Sequence, residues 1–179
     1  MSNILLVVSD LHLADGQSIL EGFSDTQQAA FEGLVAAALA TGPLGRADNV
    51  ELIINGDCFD FLATPPYQPE GISDISTALA KLQKIVAAHG PFFETLRHFT
   101  DTPGRHVTFI TGNHDIELCF EEVQTQIREA ISRARDDGRI SFCPTRFYRP
   151  LPDVYIEHGN HYDFWNRTGL WDEQGQPLD

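Results

Sequence analysis

Four short apolar runs, each closed by a cluster of acidic, histidine or amide residues, constrain this chain more than any other feature. Ile4–Val8 leads into Ser9-Asp10-Leu11-His12, and Val50–Ile54 into Asn55-Gly56-Asp57. His106–Ile110 leads into Thr111-Gly112-Asn113-His114-Asp115, and Val154–Glu157 into His158-Gly159. Apolar, β-branched runs of this length read as strands buried on both faces. Helical stretches lie between them: Ser24-Asp25 to about Ala40, Ser73/Asp74 to about His89, Pro91 to about Phe99, and Glu117 to Asp136. Ser or Asp supplies the starts of the first two, and Thr41-Gly42-Pro43 and Gly90-Pro91 supply stops. Ile140–Cys143 is a further strand, Ala63–Gly71 an irregular proline-rich loop, and no periodic element follows Asp163. Strand alternating with helix predicts an α/β sheet with helices on both faces. The length of 179 residues, 42% of them hydrophobic, suits a single domain.

In open α/β sheets, ligands bind outside the carboxyl ends of the strands, so clusters distant in sequence can converge there. The residue types suit a metal. Asp10 and His12, two apart, share a face of an extended backbone and can reach one ion. Gly56 before Asp57 lets the backbone turn sharply and a metal approach closely. Gly112-Asn113-His114-Asp115 repeats the arrangement with an amide, an imidazole and a carboxylate, groups that are costly to bury without partners. The three cysteines, Cys58, Cys119 and Cys143, are too few and too scattered for a disulfide framework or a thiolate zinc site. Mixed oxygen and nitrogen donors favour Mn, Fe, Zn or a similar first-row ion. Two such ions, about 3.5–4 Å apart and bridged by a carboxylate, clamp a phosphoryl group and activate a water.

Charge narrows the partner. Twelve Lys+Arg against 26 Asp+Glu leave a formal net charge of −14, which argues against a nucleic-acid backbone. A phosphorylated small molecule or other phosphoester stays compatible, because bound dications reverse the local field. No run is long enough to span a membrane, and the N-terminus carries no cationic leader, so a cytoplasmic location is expected.

The set Asp10-x-His12, Gly56-Asp57-x-x-Asp60, Gly112-Asn113-His114-Asp115 and His158-Gly159 resembles the calcineurin-like metallophosphoesterases, in family order from Ser9 to Asp163. The resemblance implies a layered α/β/β/α fold and hydrolysis of phosphomonoesters, phosphodiesters or pyrophosphates with two divalent ions, Mn²⁺ foremost. It implies that Asp10 and His12 hold one metal, Asn113 and His158 the other, and Asp57 both. His114 then protonates the leaving group or steadies the transition state, Asp115 orients His114, and Asp60 is a supporting carboxylate. Ser9-Asp10-Leu11-His12-Leu13 and Gly56-Asp57-Cys58-Phe59-Asp60-Phe61 look like the branch containing the UDP-2,3-diacylglucosamine hydrolases. That branch commonly has Arg at the place of His114, which points to a more general phosphoesterase.

The family pattern closes with a Gly-His-x-His motif, and nothing after His158 supplies it. His161 sits in the segment His158–Asp163, where a surface or supporting role is the simpler reading. The resemblance therefore implies that residues 1–179 form one incomplete catalytic domain whose C-terminal part lies beyond Asp179. An interaction module that kept the fold and lost activity is the competing function. The simplest alternatives for single motifs are a cap after a strand for Asp10/His12, a tight turn for Asn55-Gly56-Asp57 and an ordinary hydrogen-bonded histidine for His158. Phe92, Phe93, Phe99 and Phe109 read as core.

Overall fold

The structure is a computed structural model and describes residues 2–39, 44–67, 73–132, 138–145 and 147–166, together with 170, 171, 177 and 178. Four parallel strands, β1 (Asn3–Val8), β2 (Asn49–Asn55), β3 (Arg105–Ile110) and β4 (Ile140–Cys143), form one sheet in sequence order. Ile4 pairs with Val50, Val50 with Arg105, and Val107 with Ile140. The crossovers carry α1 (Asp25–Leu39), then α2 (Ile75–Ala88) with α3 (Gly90–Asp101), then α4 (Glu121–Ile131). Asp74 caps α2 by accepting from the Thr77 N–H at 2.8 Å, and Pro91 occupies the first turn of α3.

The helices lie on one face of the sheet, not on both. Val50, Leu52 and Ile54 of β2, Val107 and Phe109 of β3, and Ile140 of β4 share one core with the buried residues of all four helices. These are alternate positions, hence one face. Strand order explains it: each new strand adds on the same side of the last, so crossovers of one hand put every helix on the same face. Helices on both faces need a reversal of that order.

The opposite face meets a second, two-stranded antiparallel sheet, β5 (Phe147–Leu151) with β6 (Val154–Glu157). The Tyr148 hydroxyl donates across that interface to Glu51 at 2.7 Å, and the Thr108 hydroxyl, from the neighbouring strand of the large sheet, donates to the same carboxylate at 2.6 Å. Val154–Glu157 is thus a strand as expected, but it belongs to this hairpin and delivers His158 from a different layer. The first strand is also less buried than its sequence suggests. It forms an edge of the sheet, and Val7 is 49% exposed.

The expected helix Glu117–Asp136 divides. Ile116–Cys119 makes a 3₁₀ turn, Phe120 is extended at φ −81°, ψ 126°, and α4 begins at Glu121. Residues 133–136, the stop at 41–43, and 68–71 of the expected loop lie outside the described residues. Late in the chain β7 (Leu170–Trp171) pairs with β8 (Pro177–Leu178), where the sequence showed no periodicity. No helix among the described residues is long and apolar enough to cross a membrane.

Aromatic packing carries the core toward the strand ends. Phe59 is fully buried and stacks on Phe93 and Phe109, with ring centroids 6.1 and 5.9 Å apart. Phe92, Phe93, Phe99 and Phe109 are all core residues. Burying a Phe is worth about 1.5–3 kcal/mol, and Phe59 places that energy two residues from Asp57 and one from Asp60.

Candidate metal centre

The loops that follow β1, β2 and β3 prolong the pairing of the strands themselves. The His12 and Leu13 N–H groups donate to the Asp57 and Cys58 carbonyls at 2.9 and 3.0 Å, and the Gly56 N–H donates to the Ile110 carbonyl at 3.0 Å. The Asp60 N–H returns to Leu13, and the Phe61 N–H reaches the His114 carbonyl at 3.1 Å. Three segments far apart in sequence are thereby fixed side by side at the carboxyl end of the sheet.

Three non-glycine residues adopt left-handed backbone here: Asp10 at φ 55°, His12 at 51° and Asp57 at 52°. Each such residue costs about 1–3 kcal/mol, and strain of this kind gathers at functional sites. Two glycines explain how the side chains fit. Gly56, at φ 78°, leaves room for the His158 ring: a Cβ there would lie 2.4 Å from His158 Cγ. A Cβ on Gly112 would lie 2.1 Å from Asp57 Oδ1. The space at Gly56 is therefore taken by an imidazole from the hairpin layer.

Among the described residues two groups gather possible ligand atoms within 4.8 Å of one another: Asp10, Asp57 and His158, and His12, Asp60 and His114. Asp10 thus gathers with His158, and His12 with Asp60 and His114. Asp57 Oδ2 lies between the groups, 3.2 Å from His158 Nε2 and 3.8 Å from His12 Nε2. Asp57 Oδ1 accepts from the His114 N–H at 2.9 Å. Asn113 occupies the bend between Gly112 and His114, half-buried.

The three imidazoles are oriented alike. His158 Nδ1 is 2.9 Å from the Asn55 carbonyl, which only accepts, so Nδ1 carries a proton and Nε2 turns to Asp57. His12 Nδ1 and His114 Nδ1 each lie 3.1 Å from one oxygen of Asp60. The His12 and His114 rings meet edge to face with centroids 4.7 Å apart.

Charge follows geometry. The hydrogen bonds to Asp60 raise the pKa of both His12 and His114, against the effect of burial. For His158, burial opposes the charge, but the hydrogen bond and charge of Asp57 outweigh it and push the pKa up to about 9. Asp60 and Asp57 resist the upward push of burial and fall below the usual carboxylate range, Asp60 through the two histidines and Asp57 through His158 and the His114 N–H.

Among the described residues the His114 ring bonds Asp60 and not Asp115. The two oxygens of Asp115 accept from the Gly112 and Cys58 N–H groups at 2.6 and 2.8 Å, and from Phe59 at 3.4 Å. Asp115 is fully buried, and burial with nearby Asp57 pushes its pKa up to about 7. Asp115 staples the second loop to the third, and it is Asp60 that bonds His114 Nδ1, where the resemblance implied Asp115 as the orienting carboxylate. His161 lies one residue into the short 3₁₀ turn Asn160–Tyr162, beside the buried Asn160.

Nitrogen and carboxylate oxygen donors, tightly grouped, without thiolate and with each imidazole presenting Nε2, fit a first-row divalent ion. No curated protein and no solved structure matches the chain closely enough to count as a relative. The sequence model of one family, described as calcineurin-like phosphoesterase, matches residues 5–177. That span covers all of the four-stranded sheet but Asn3 and Ile4, the helices and every residue of the cluster, and the chain belongs to the calcineurin-like phosphoesterases.

Proposed function

We propose that this chain hydrolyses phosphoesters with two divalent ions held side by side, Asp57 serving both. The observation that carries the reading is the position of Asp57 Oδ2, which faces the Nε2 atoms of His158 and His12 at once. On the family pattern Asp10 and His12 would complete one ion's protein ligands and Asn113 and His158 the other's, with Asp10 placed near His158 as well. Bound dications would polarise the phosphoryl oxygens and make a water nucleophilic near neutral pH; Mn²⁺ is the first choice.

The remaining chemistry belongs to side chains. His114 Nδ1 is committed to Asp60, which leaves Nε2 to give a proton to the leaving oxygen or a hydrogen bond to the developing charge. Asp60 holds His114 and His12 with its two oxygens, so acid and metal ligand stay in fixed relation. Asn55 does the same for His158 through its backbone carbonyl. The substrate is a phosphorylated small molecule or other phosphoester, and the acidic surface disfavours a nucleic-acid partner.

The test is hydrolysis of bis-p-nitrophenyl phosphate and p-nitrophenyl phosphate with Mn²⁺. Turnover that disappears with EDTA and returns with excess Mn²⁺ is expected. Absence of hydrolysis of both esters with Mn²⁺, Fe²⁺ and Zn²⁺ alike would remove the proposal.

A further inference from the structure

Lys81 is 1% exposed, on the buried side of α2. Lysine is almost never fully buried without a partner, and a cation inside a core is costly unless hydrogen-bonded and balanced in charge. Its Nζ donates to the Phe61 carbonyl at 2.8 Å. Burial lowers its pKa, against the opposing pull of Glu117 and Asp60. Glu117 is 1% exposed as well; its Oε1 accepts from the Ser73 N–H at 3.1 Å, and its Oε2 has no hydrogen-bond partner among the described residues. An apolar side chain at position 81 would avoid the cost of a buried ammonium, so its presence calls for an account.

The backbone of Phe61 supplies one. The Phe61 N–H donates to the His114 carbonyl and the Phe61 C=O accepts from Lys81, so the backbone of this residue joins the loop of Asp60 to the loop of His114. The turn after Asp60 closes on itself: the Ala63 N–H reaches Asp60 Oδ1 and the Thr64 hydroxyl reaches the Asp60 carbonyl, each at 2.8 Å. Asp60 Oδ1 is also the oxygen that holds His114. Lys81 ties this closed turn to a regular helix, and its charge favours the ionised Asp60 that both histidines need. Glu117 lies in the 3₁₀ turn directly after Asn113-His114-Asp115, so the same ammonium faces the third loop electrostatically.

We infer that Lys81 is a positioning residue for the Asp60–His114 pair, acting through the Phe61 carbonyl and not through substrate or metal. The inference rests on the hydrolytic reading above. Misplacing a reacting group by an ångström can cost about 10²-fold, so Lys81→Met should lower kcat roughly 10–10²-fold. KM and bound Mn²⁺ should stay at wild-type values, because Lys81 touches neither.

The experiment compares the full chain, Lys81→Met and Lys81→Met/Glu117→Gln by Mn²⁺-dependent ester hydrolysis, metal content, melting temperature and the imidazole N–H proton spectrum. The double variant removes the carboxylate that the single variant leaves buried without its cation. It should recover melting temperature while kcat stays low, and the proton on His114 Nδ1 should broaden or shift upfield in both variants. Wild-type kcat in either variant overturns the inference, and so does a fall in metal content that matches the fall in kcat. Failure of both variants to fold makes Lys81 a fold determinant and overturns it too. An inactive wild-type chain counts against the hydrolytic reading instead, and the His114 proton then decides the role of Lys81.

Discussion

A single methyl group at position 56 separates the roles of glycine and histidine in this site. In Gly56→Ala the new Cβ would fall 2.4 Å from both Cγ and Nδ1 of His158, and 2.9 Å from its Cβ. These atoms belong to a ring root held by the hairpin, so the ring must leave. Alanine at φ 78° adds about 1–2 kcal/mol of left-handed strain. Loss of the charged contact between His158 and Asp57 adds about 1.5–3 kcal/mol. The sum, about 2.5–5 kcal/mol, is no more than a typical stability of about 5–15 kcal/mol, so the variant folds with a melting temperature lowered by roughly 5–20 °C. Mn²⁺ affinity at the ion served by His158 should fall by about 10–100-fold or more. Calorimetric titration and thermal melting in EDTA read the two effects apart. His158→Ala is the control: the same loss of affinity without the backbone strain. A Gly56→Ala protein with wild-type melting and wild-type Mn²⁺ affinity would refute the steric reasoning.

Other perturbations follow from the same geometry. His114→Asn should keep its metal content and lose turnover by roughly 10²–10⁴-fold; metal lost in step with activity would make His114 a ligand. Asp60→Asn, which offers one acceptor oxygen to two imidazoles, should lower turnover and weaken Mn²⁺ binding by about 10–100-fold, read by titration. In metal-stripped protein the raised pKa of His158 means that the folded state holds its proton more tightly than the unfolded chain. Stability from the His158–Asp57 pair is then complete below the unfolded value of 6.5 and lost as pH rises through about 9. Mn²⁺ competes with that proton, so its affinity should climb over the same window; denaturant melts and titrations at pH 6 to 10 check both signs. Phe59→Ala should cost about 3–5 kcal/mol and, by loosening the Asp57–Asp60 turn, weaken metal binding measured at a temperature where the protein is folded.

The sequence shows where the chain turns from apolar strand to polar cluster, and those turning points hold: β1, β2, β3 and β6 each end within one residue of the expected place. The core phenylalanines and the cap at Asp74 were legible for the same reason, since periodicity and capping are local. What local signals do not carry is partnership. Nothing in the spacing says that Asp60 reaches His114 while Asp115, its near neighbour in sequence, binds backbone N–H groups. The left-handed backbone at Asp10, His12 and Asp57 is likewise invisible: Asp and His enter that region more readily than most residues, but nothing local marks these three among the chain's other Asp and His residues. The hairpin strand β5 was missed because Pro150 within a short run argues against a strand; Pro150 sits on a two-stranded sheet with an open edge and an irregular register between Tyr148 and Leu151. Helices on one face follow from strand order, a property of the whole sheet.

Metal counting across three proteins tests the shared role of Asp57 most directly. Wild type, Asp57→Asn and Asp10→Asn are dialysed against the same saturating Mn²⁺, and bound manganese per chain is measured by elemental analysis. Asp57 Oδ2 faces imidazoles of both groups, whereas Asp10 gathers with one of them. Two ions in wild type, loss of both in Asp57→Asn and loss of mainly one in Asp10→Asn are expected. Two tightly bound ions in Asp57→Asn, or a single ion in wild type at saturation, would contradict a centre built around Asp57.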